Sequence, residues 1–472
     1  MFKLAATTFF LTLFWQTRIT LCCRYFHIDY AIPFVYLSDF LFAAWVVLTL
    51  SHKKKWRAFL GYLKLQRGQI LPLALFLVWA ALGLLNPEIN EVAFWYRWVK
   101  ILELLALVPF IAWQISHDNL KKSQIWKLIS WGLLPLCLIA ITEFIMKRSL
   151  NMQFLGEWDF SVKTPGIATF SWLGIDWLRP YSTFPHPNVL GGILSIVLPI
   201  MCRRRCEWNR KAWILLWAIM GLTLLLTLSR TAWVTFLLLM LLAMWPVIFA
   251  NRGLSRGRDR FSTMRRIVRF SAVCILLGIF FFLLPNPITE RIRSLGTVDS
   301  LSWLRRWDLS LFAIRLIRQS PFLGVGLNQF SFLVEKYGEI SGPSAWAQPV
   351  HNLWLLIASE TGFIGLGLFL WFVWKIISVR KRQKLASHRT MLGADVKRQR
   401  SAGKGQVLVR GDRLGEAGLI LVGLFLTSLA DHYWWTTQHG VLFLGICLGI
   451  ILGTVFEKNQ EIVPPPITSS SL

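Results

Sequence analysis

The sequence predicts an all-α polytopic membrane protein of about twelve transmembrane helices, and three observations carry that prediction. Runs of about 20 apolar residues, enough to cross ~30 Å of hydrocarbon, recur from one end of the 472-residue chain to the other. Hydrophobic residues make up 55% of the chain and mean hydropathy is +0.52, which leaves no room for a sizeable soluble domain. The basic residues behind the formal charge of +27 sit in short clusters between the apolar runs, the pattern of a topology signal and not of a nucleic-acid surface.

Taken in order, the spans are expected near 4–22, 31–50, 69–86, 93–115, 126–146, 187–202, 212–228, 232–250, 268–285, 352–378, 416–430 and 440–456. The first could pass for a signal peptide, but Gln16, Thr17 and Arg18 follow it where small residues would mark cleavage, so it reads as a retained span. An even number of crossings puts both termini on one side. One parity collects Lys53–Lys55 with Arg57, Arg203–Arg205, the arginines from Arg252 to Arg266, and the stretch from Arg380 to Arg413. The positive-inside rule makes that side cytoplasmic. The chain is thus expected to be a single multi-pass domain, 1–472, of an inner (plasma) membrane. It has a large outer loop at 286–350, a basic cytoplasmic loop at 379–415 and a flexible cytoplasmic tail at 457–472. The basic loop also suits contact with anionic membrane lipids. A further outer loop, 147–186, is rich in Trp, Pro and Gly.

Cys22, Cys23, Cys137, Cys202, Cys206, Cys274 and Cys447 lie mostly in or beside apolar runs, without the spacing of a disulfide framework or a metal site.

Chemistry is expected where polar groups converge on the outer face. The stretch His351–Phe372 places His351, Asn352 and Glu360 at or inside the mouth of an apolar helix, and ionisable groups at membrane depth are costly unless paired or working. His351 reads as a hydrogen-bonded packing residue or a base, Asn352 as a cap, and Glu360 either as a carboxylate that needs a donor or as a neutral acid with a raised pKa. Arg230, in LTLSRTAW, reads from its position alone as a snorkelling anchor, its charge at the headgroups and its stem in lipid. Residues 302–319 read as an amphipathic helix stopped before Pro321. On it Arg306, Ser310, Ala313 and Ile317 share one row, while Arg305 points about 100° away with Leu309 and Phe312. Two guanidinium groups from separate segments could clamp a diphosphate. His186 and Asn188 in FPHPNVLGG, and Asp431, His432, Tyr433 and Gln438 in DHYWWTTQHG, complete the polar set. The histidines sit among aromatics without a carboxylate-rich partner set, so no metal and no cofactor are expected.

These segments together resemble the O-antigen ligase and Wzy-polymerase superfamily of bacterial envelope glycosyltransferases. The likeness rests on Phe184–Asn188 with Leu190-Gly191, Ser229–Trp233, Arg306, Pro321–Leu327 with Phe330, His351-Asn352, Glu360–Gly362, and Asp431–Tyr433 with Gln438. Specific matches run over 184–440. The resemblance implies a GT-C-like architecture with a longer periplasmic loop before the tenth helix. It implies metal-independent transfer of a glycan from an undecaprenyl-diphosphate donor to lipid A-core or another glycan acceptor, on the periplasmic face. By motif match Arg230 and Arg306 would bind the donor diphosphate and His351 would be catalytic. Arg305, Asn352, Glu360, His186, Asn188, Asp431, His432, Tyr433 and Gln438 would support them.

Two alternatives stand beside the ligase reading. A polymerase of the same superfamily would use the same donor and a lipid-linked glycan as acceptor. A bicarbonate-type transporter should instead place its ionisable groups near the bilayer midplane on broken helices.

Overall fold

The computed structural model describes residues 1–21, 32–172, 174–249, 300–338, 347–398 and 415–460. The expected span at 268–285, the basic cluster Arg252–Arg266 and the tail beyond 460 lie outside these residues. Four helices are long and apolar enough to cross a membrane: Arg67–Leu85 (α4, Arg67–Ala81, with a 3-10 turn), Glu91–Ser116 (α5), Lys122–Met146 (α6) and Leu353–Ser378, the first part of a helix running to Arg398. Shorter apolar helices include Pro187–Arg203, Glu416–Ala430 and Gln438–Thr454. The chain is therefore a helical membrane protein, and among the described residues fewer helices reach spanning length than the expected count of about twelve.

The first two expected spans are where the structure departs most. Helix α1 (Phe2–Leu11) stops well short of residue 22. Thr12 turns its hydroxyl back to the Thr8 carbonyl at 2.8 Å, and the Gln16 backbone N–H donates to the Leu155 carbonyl at 2.8 Å. Strand β1 (Arg18–Thr20) then pairs antiparallel with β2 (Phe34–Tyr36), so helix α2 (Leu37–Leu50) begins later than expected. The expected basic turn after it is an amphipathic helix, α3 (Lys53–Leu65). A second hairpin, β3 (Thr169–Trp172) with β4 (Ile175–Leu178), occupies the Trp-rich loop.

The remaining helices are α7 (Pro187–Arg203), α8 (Arg210–Leu226), α9 (Arg230–Phe249), α10 (Ser300–Gln319), α11 (Phe330–Tyr337), α12 (Leu353–Arg398), α13 (Glu416–Ala430), α14 (Tyr433–Thr436) and α15 (Gln438–Gln460). The first part of the stretch expected as a basic loop, 379–415, is thus helical.

Helices α5 and α15 form the centre of the bundle, and the sequence shows why they approach closely. Gly445, Gly449 and Gly453 recur every four residues and so share one face of α15. A Cβ on Gly449 would stand 2.7 Å from Ile111 Cβ, and one on Gly453 would stand 2.9 Å from the Ala112 carbonyl. At one end of the bundle Arg204, after α7, donates from Nε to Glu416 of α13 at 2.9 Å, while Trp126 of α6 donates to the same carboxylate at 2.6 Å. With that end fixed, the N-termini of α7 and α12 and the C-terminus of α13 meet at the other.

Helix α12 breaks at Gly362, where φ is 68°. The Pro321–Gly326 turn docks into the break. The Phe363 N–H donates to the Pro321 carbonyl at 2.7 Å, and Val325 and Gly326 donate to the Ser359 and Glu360 carbonyls at 2.9 Å each. Gly324, also left-handed with φ 71°, passes so near that a Cβ would stand 2.4 Å from the Glu360 carbonyl carbon. The loop that carries α10 is in this way tied to the helix that follows His351.

Candidate active site

Three tethers gather the polar residues at this end. Asn352 is the N-cap of α12, its Oδ1 accepting from the Trp354 and Leu355 N–H groups at 3.0 Å each, and its Nδ2 donating to the Leu429 carbonyl at 3.1 Å. His186 is the N-cap of α7, Nδ1 accepting from the Asn188 N–H at 3.1 Å. Asn188 then accepts from Arg179 at 2.8 Å and donates to Asp431 Oδ2 at 3.3 Å. Arg306 closes the group from α10, donating to the Ala430 carbonyl at 3.4 Å, one residue before Asp431. Its row-mates Ala313 and Ile317 are buried, which fixes the helix with the Arg306 row inward. Leu309 and Phe312, in the Arg305 row, are buried as well, so α10 is packed on more than one side.

Within the group, the rings of His351 and His432 meet edge to face with centroids 5.4 Å apart. His432 Nδ1 lies 2.7 Å from Thr436 Oγ1, leaving Nε2 toward Asp431 Oδ1 at 3.8 Å. The Asp431 Oδ1 also accepts the His432 N–H at 2.9 Å. One donor atom each from His351, Asp431 and His432 lies within 4.8 Å of the others, a geometry that could hold a metal ion.

The electrostatics favour neutral imidazoles. Burial, then the Arg306 cation, holds His351 well below the usual histidine value. Burial takes His432 down to about 4 against the opposing pull of Asp431. Burial and Arg179 take His186 to about 3. For Asp431 burial acts upward, but His351, His432 and Arg306 outweigh it and hold the carboxyl at about 2. The group is therefore a carboxylate among neutral imidazoles beside a guanidinium. Such an arrangement can accept a proton next to a bound anion.

Arg230 opens α9, half-buried, and among the described residues it makes no hydrogen bond to this group. Its turn is held close all the same. Arg179 Nε donates to the Thr227 carbonyl at 2.8 Å, and Gly191 of α7 lets Ala232 and Thr227 approach to the point where a Cβ would stand 3.0 Å from each.

Three of the expected supporting residues lie elsewhere. Gln438 donates to Glu103 at 3.0 Å and to Asp39, joining a buried set in which Lys100 meets Asp39 at 2.6 Å and Glu103 at 3.7 Å. Glu360 lies by the α12 break, facing the N–H groups of Asn328 and Phe330 and the Arg97 guanidinium. Tyr433 packs its ring on Trp434 and its hydroxyl over Gly192.

Sequence reasoning missed Arg179 and Arg97. The latter is buried, donating from both terminal nitrogens to the Trp435 and Thr436 carbonyls. It also passed over Lys100 and Glu103, although charged residues inside an apolar run are themselves a signal.

The group, a carboxylate among imidazoles beside a guanidinium, thus stands at one end of a helical membrane bundle. Residues 215–370 match the family model for O-antigen ligase. That stretch contains Arg230, Arg306 and His351. The match supports the O-antigen ligase superfamily and, at that level, a glycosyltransferase-like enzyme acting on a lipid-linked glycan and an acceptor. No curated protein matches the chain.

Proposed function

We propose that the protein transfers a glycan from an undecaprenyl-diphosphate donor to an acceptor hydroxyl at the outer face of the inner membrane, as an O-antigen ligase. The observation that carries the proposal is the convergence of Arg306 from α10, His351 from the start of α12 and Asp431-His432 from the end of α13.

Departure of a lipid diphosphate builds negative charge, which a preorganised guanidinium stabilises. Arg306 takes that role, with Arg230 from the neighbouring turn as the second cation. His351 is neutral and accepts the proton of the attacking hydroxyl, and Asp431 stabilises the imidazolium that forms. Direct attack at the anomeric carbon inverts its configuration. Metal, cofactor and nucleic acid have no part in this scheme. The donor's anionic diphosphate offsets Arg306 and so raises His351 toward the working pH on binding. A polymerase would use the same site with a lipid-linked glycan as acceptor.

The test is glycan transfer in a strain lacking the protein, comparing wild type with His351→Ala at matched expression. Accumulation of undecaprenyl-linked glycan and loss of its product in the variant is the expected result. Unchanged transfer by the variant removes His351 as the base, and an unchanged glycan profile in the deletion strain removes the transferase reading.

A further inference from the structure

We infer that His351, Asp431 and His432 form an inhibitory site for a borderline divalent cation of the zinc class, bound by the imidazole that would otherwise take the acceptor proton. The inference rests on the proposed function insofar as His351 is the base.

Two imidazoles and one carboxylate are a donor set for zinc, whereas magnesium and calcium prefer oxygen alone. The three donor atoms already lie within 4.8 Å of one another. Tetrahedral ligands about 2.0 Å from zinc stand about 3.3 Å apart, so side-chain rotation closes the remaining gap. The outer contacts suit metal ligands too. Thr436 Oγ1 sits on His432 Nδ1 at 2.7 Å, while Asn188 Nδ2 holds Asp431 Oδ2 at 3.3 Å. Ligating histidines and carboxylates are oriented by bonds of this kind. His351 Nδ1 is buried with no hydrogen-bond partner among the described residues, and a lone pair or proton left so is costly.

Arg306 sets the limit on this site. Its cation stands beside His351 and Asp431 and opposes a dication. It makes a resident catalytic metal unfavourable and a reversible, chelator-sensitive ion the better fit. Metal on His351 removes the lone pair that would accept the proton, so the bound form is inactive.

The experiment uses the full chain in nanodiscs, with Co²⁺ as the spectroscopic probe and Zn²⁺ as competitor, beside a transfer assay. One Co²⁺ per chain with visible tetrahedral absorption, displaced by Zn²⁺, is expected. Asp431→Asn and His432→Gln should each weaken it at least tenfold. Transfer should fall as Zn²⁺ fills the site and return on chelation. Zn²⁺ should also protect His351 of the wild type from diethyl pyrocarbonate, a readout that needs no variant to fold. Absence of saturable Co²⁺ binding, or of protection, overturns the inference while leaving the transferase reading to the His351→Ala result. Binding and protection with undiminished transfer would overturn inhibition and remove His351 as the base.

Discussion

Asn352 donates to the Leu429 carbonyl at 3.1 Å, and this bond joins the start of the helix after His351 to the last turn of the helix before Asp431. The same side chain caps α12 through its Oδ1. Two tasks on one amide make a clear prediction. Asn352→Ala loses the cap, roughly 1 kcal/mol, and also the tie that sets the His351–His432 approach. Thermal melting should fall by a few degrees while transfer falls by more than tenfold. Asn352→Asp keeps the cap and loses the donor, so it should melt near wild type yet remain impaired. If the aspartate variant transfers at the wild-type rate, the tie has no part in positioning.

Arg306 is expected to be the more sensitive of the two proposed donor-binding arginines. It already reaches the Ala430 carbonyl beside Asp431, whereas Arg230 makes no hydrogen bond to the group among the described residues. Arg306→Ala should lower transfer by roughly 10²–10³-fold, the scale of losing one preorganised charge-stabilising donor. Arg306→Lys should recover only part, because an ammonium cannot match a diphosphate bidentately. Transfer rates at saturating donor check this, and equal rates for wild type and Arg306→Ala would refute it.

Much of the fold is legible in the sequence because burial leaves a periodic trace. The long apolar runs at 93–115 and 126–146 and the amphipathic run at 302–319 became α5, α6 and α10 with ends shifted by a few residues. The run at 4–22 did not: α1 ends at Leu11, and what holds the chain beyond it is long-range. Gln16 and Thr17 bond Leu155 and Phe154, partners that no window of a single run contains. The site divides in the same way. Asn352 could be read as a cap from its position alone. Gln438 could not be assigned, since it begins α15 and points to Asp39 and Glu103 on two other helices. Arg179 was hidden for want of a local pattern: its partners, Thr227 and Asn188, come from two separate turns.

The break in α12 should be intolerant of a methyl group. Gly362 has φ 68°, and a Cβ there would stand 2.0 Å from the Phe322 carbonyl oxygen. Left-handed backbone costs a non-glycine residue about 1–2 kcal/mol before any clash. Gly362→Ala should therefore lower the melting temperature clearly and release the Pro321–Gly326 turn that leads back to α10. Gly367→Ala is the control, since its Cβ would meet nothing within 4 Å. Similar melting of the two variants would contradict this account of the break.

The pH dependence should carry the signature of a neutral base beside a guanidinium. In the free protein burial and Arg306 hold His351 well below its usual value of 6.5. The acid limb of kcat/KM should accordingly lie well below pH 6.5. Donor binding brings an anionic diphosphate against Arg306, which raises His351, so the acid limb of kcat should lie at higher pH than that of kcat/KM. Stability moves with the same sign. A histidine whose folded value is depressed, such as His432 at about 4, stays neutral while the unfolded chain gains its proton near 6.5. Stability is thus lost as pH falls from about 6.5 toward 4, and Asp431 extends the loss from its usual 3.8 toward about 2. Transfer rates from pH 8 down through the acid limbs, and melting curves carried down to about pH 2, where Asp431 takes its proton, check both. Coincident acid limbs for kcat and kcat/KM would mean that donor binding leaves the base untouched, and that Arg306 does not couple the diphosphate to His351.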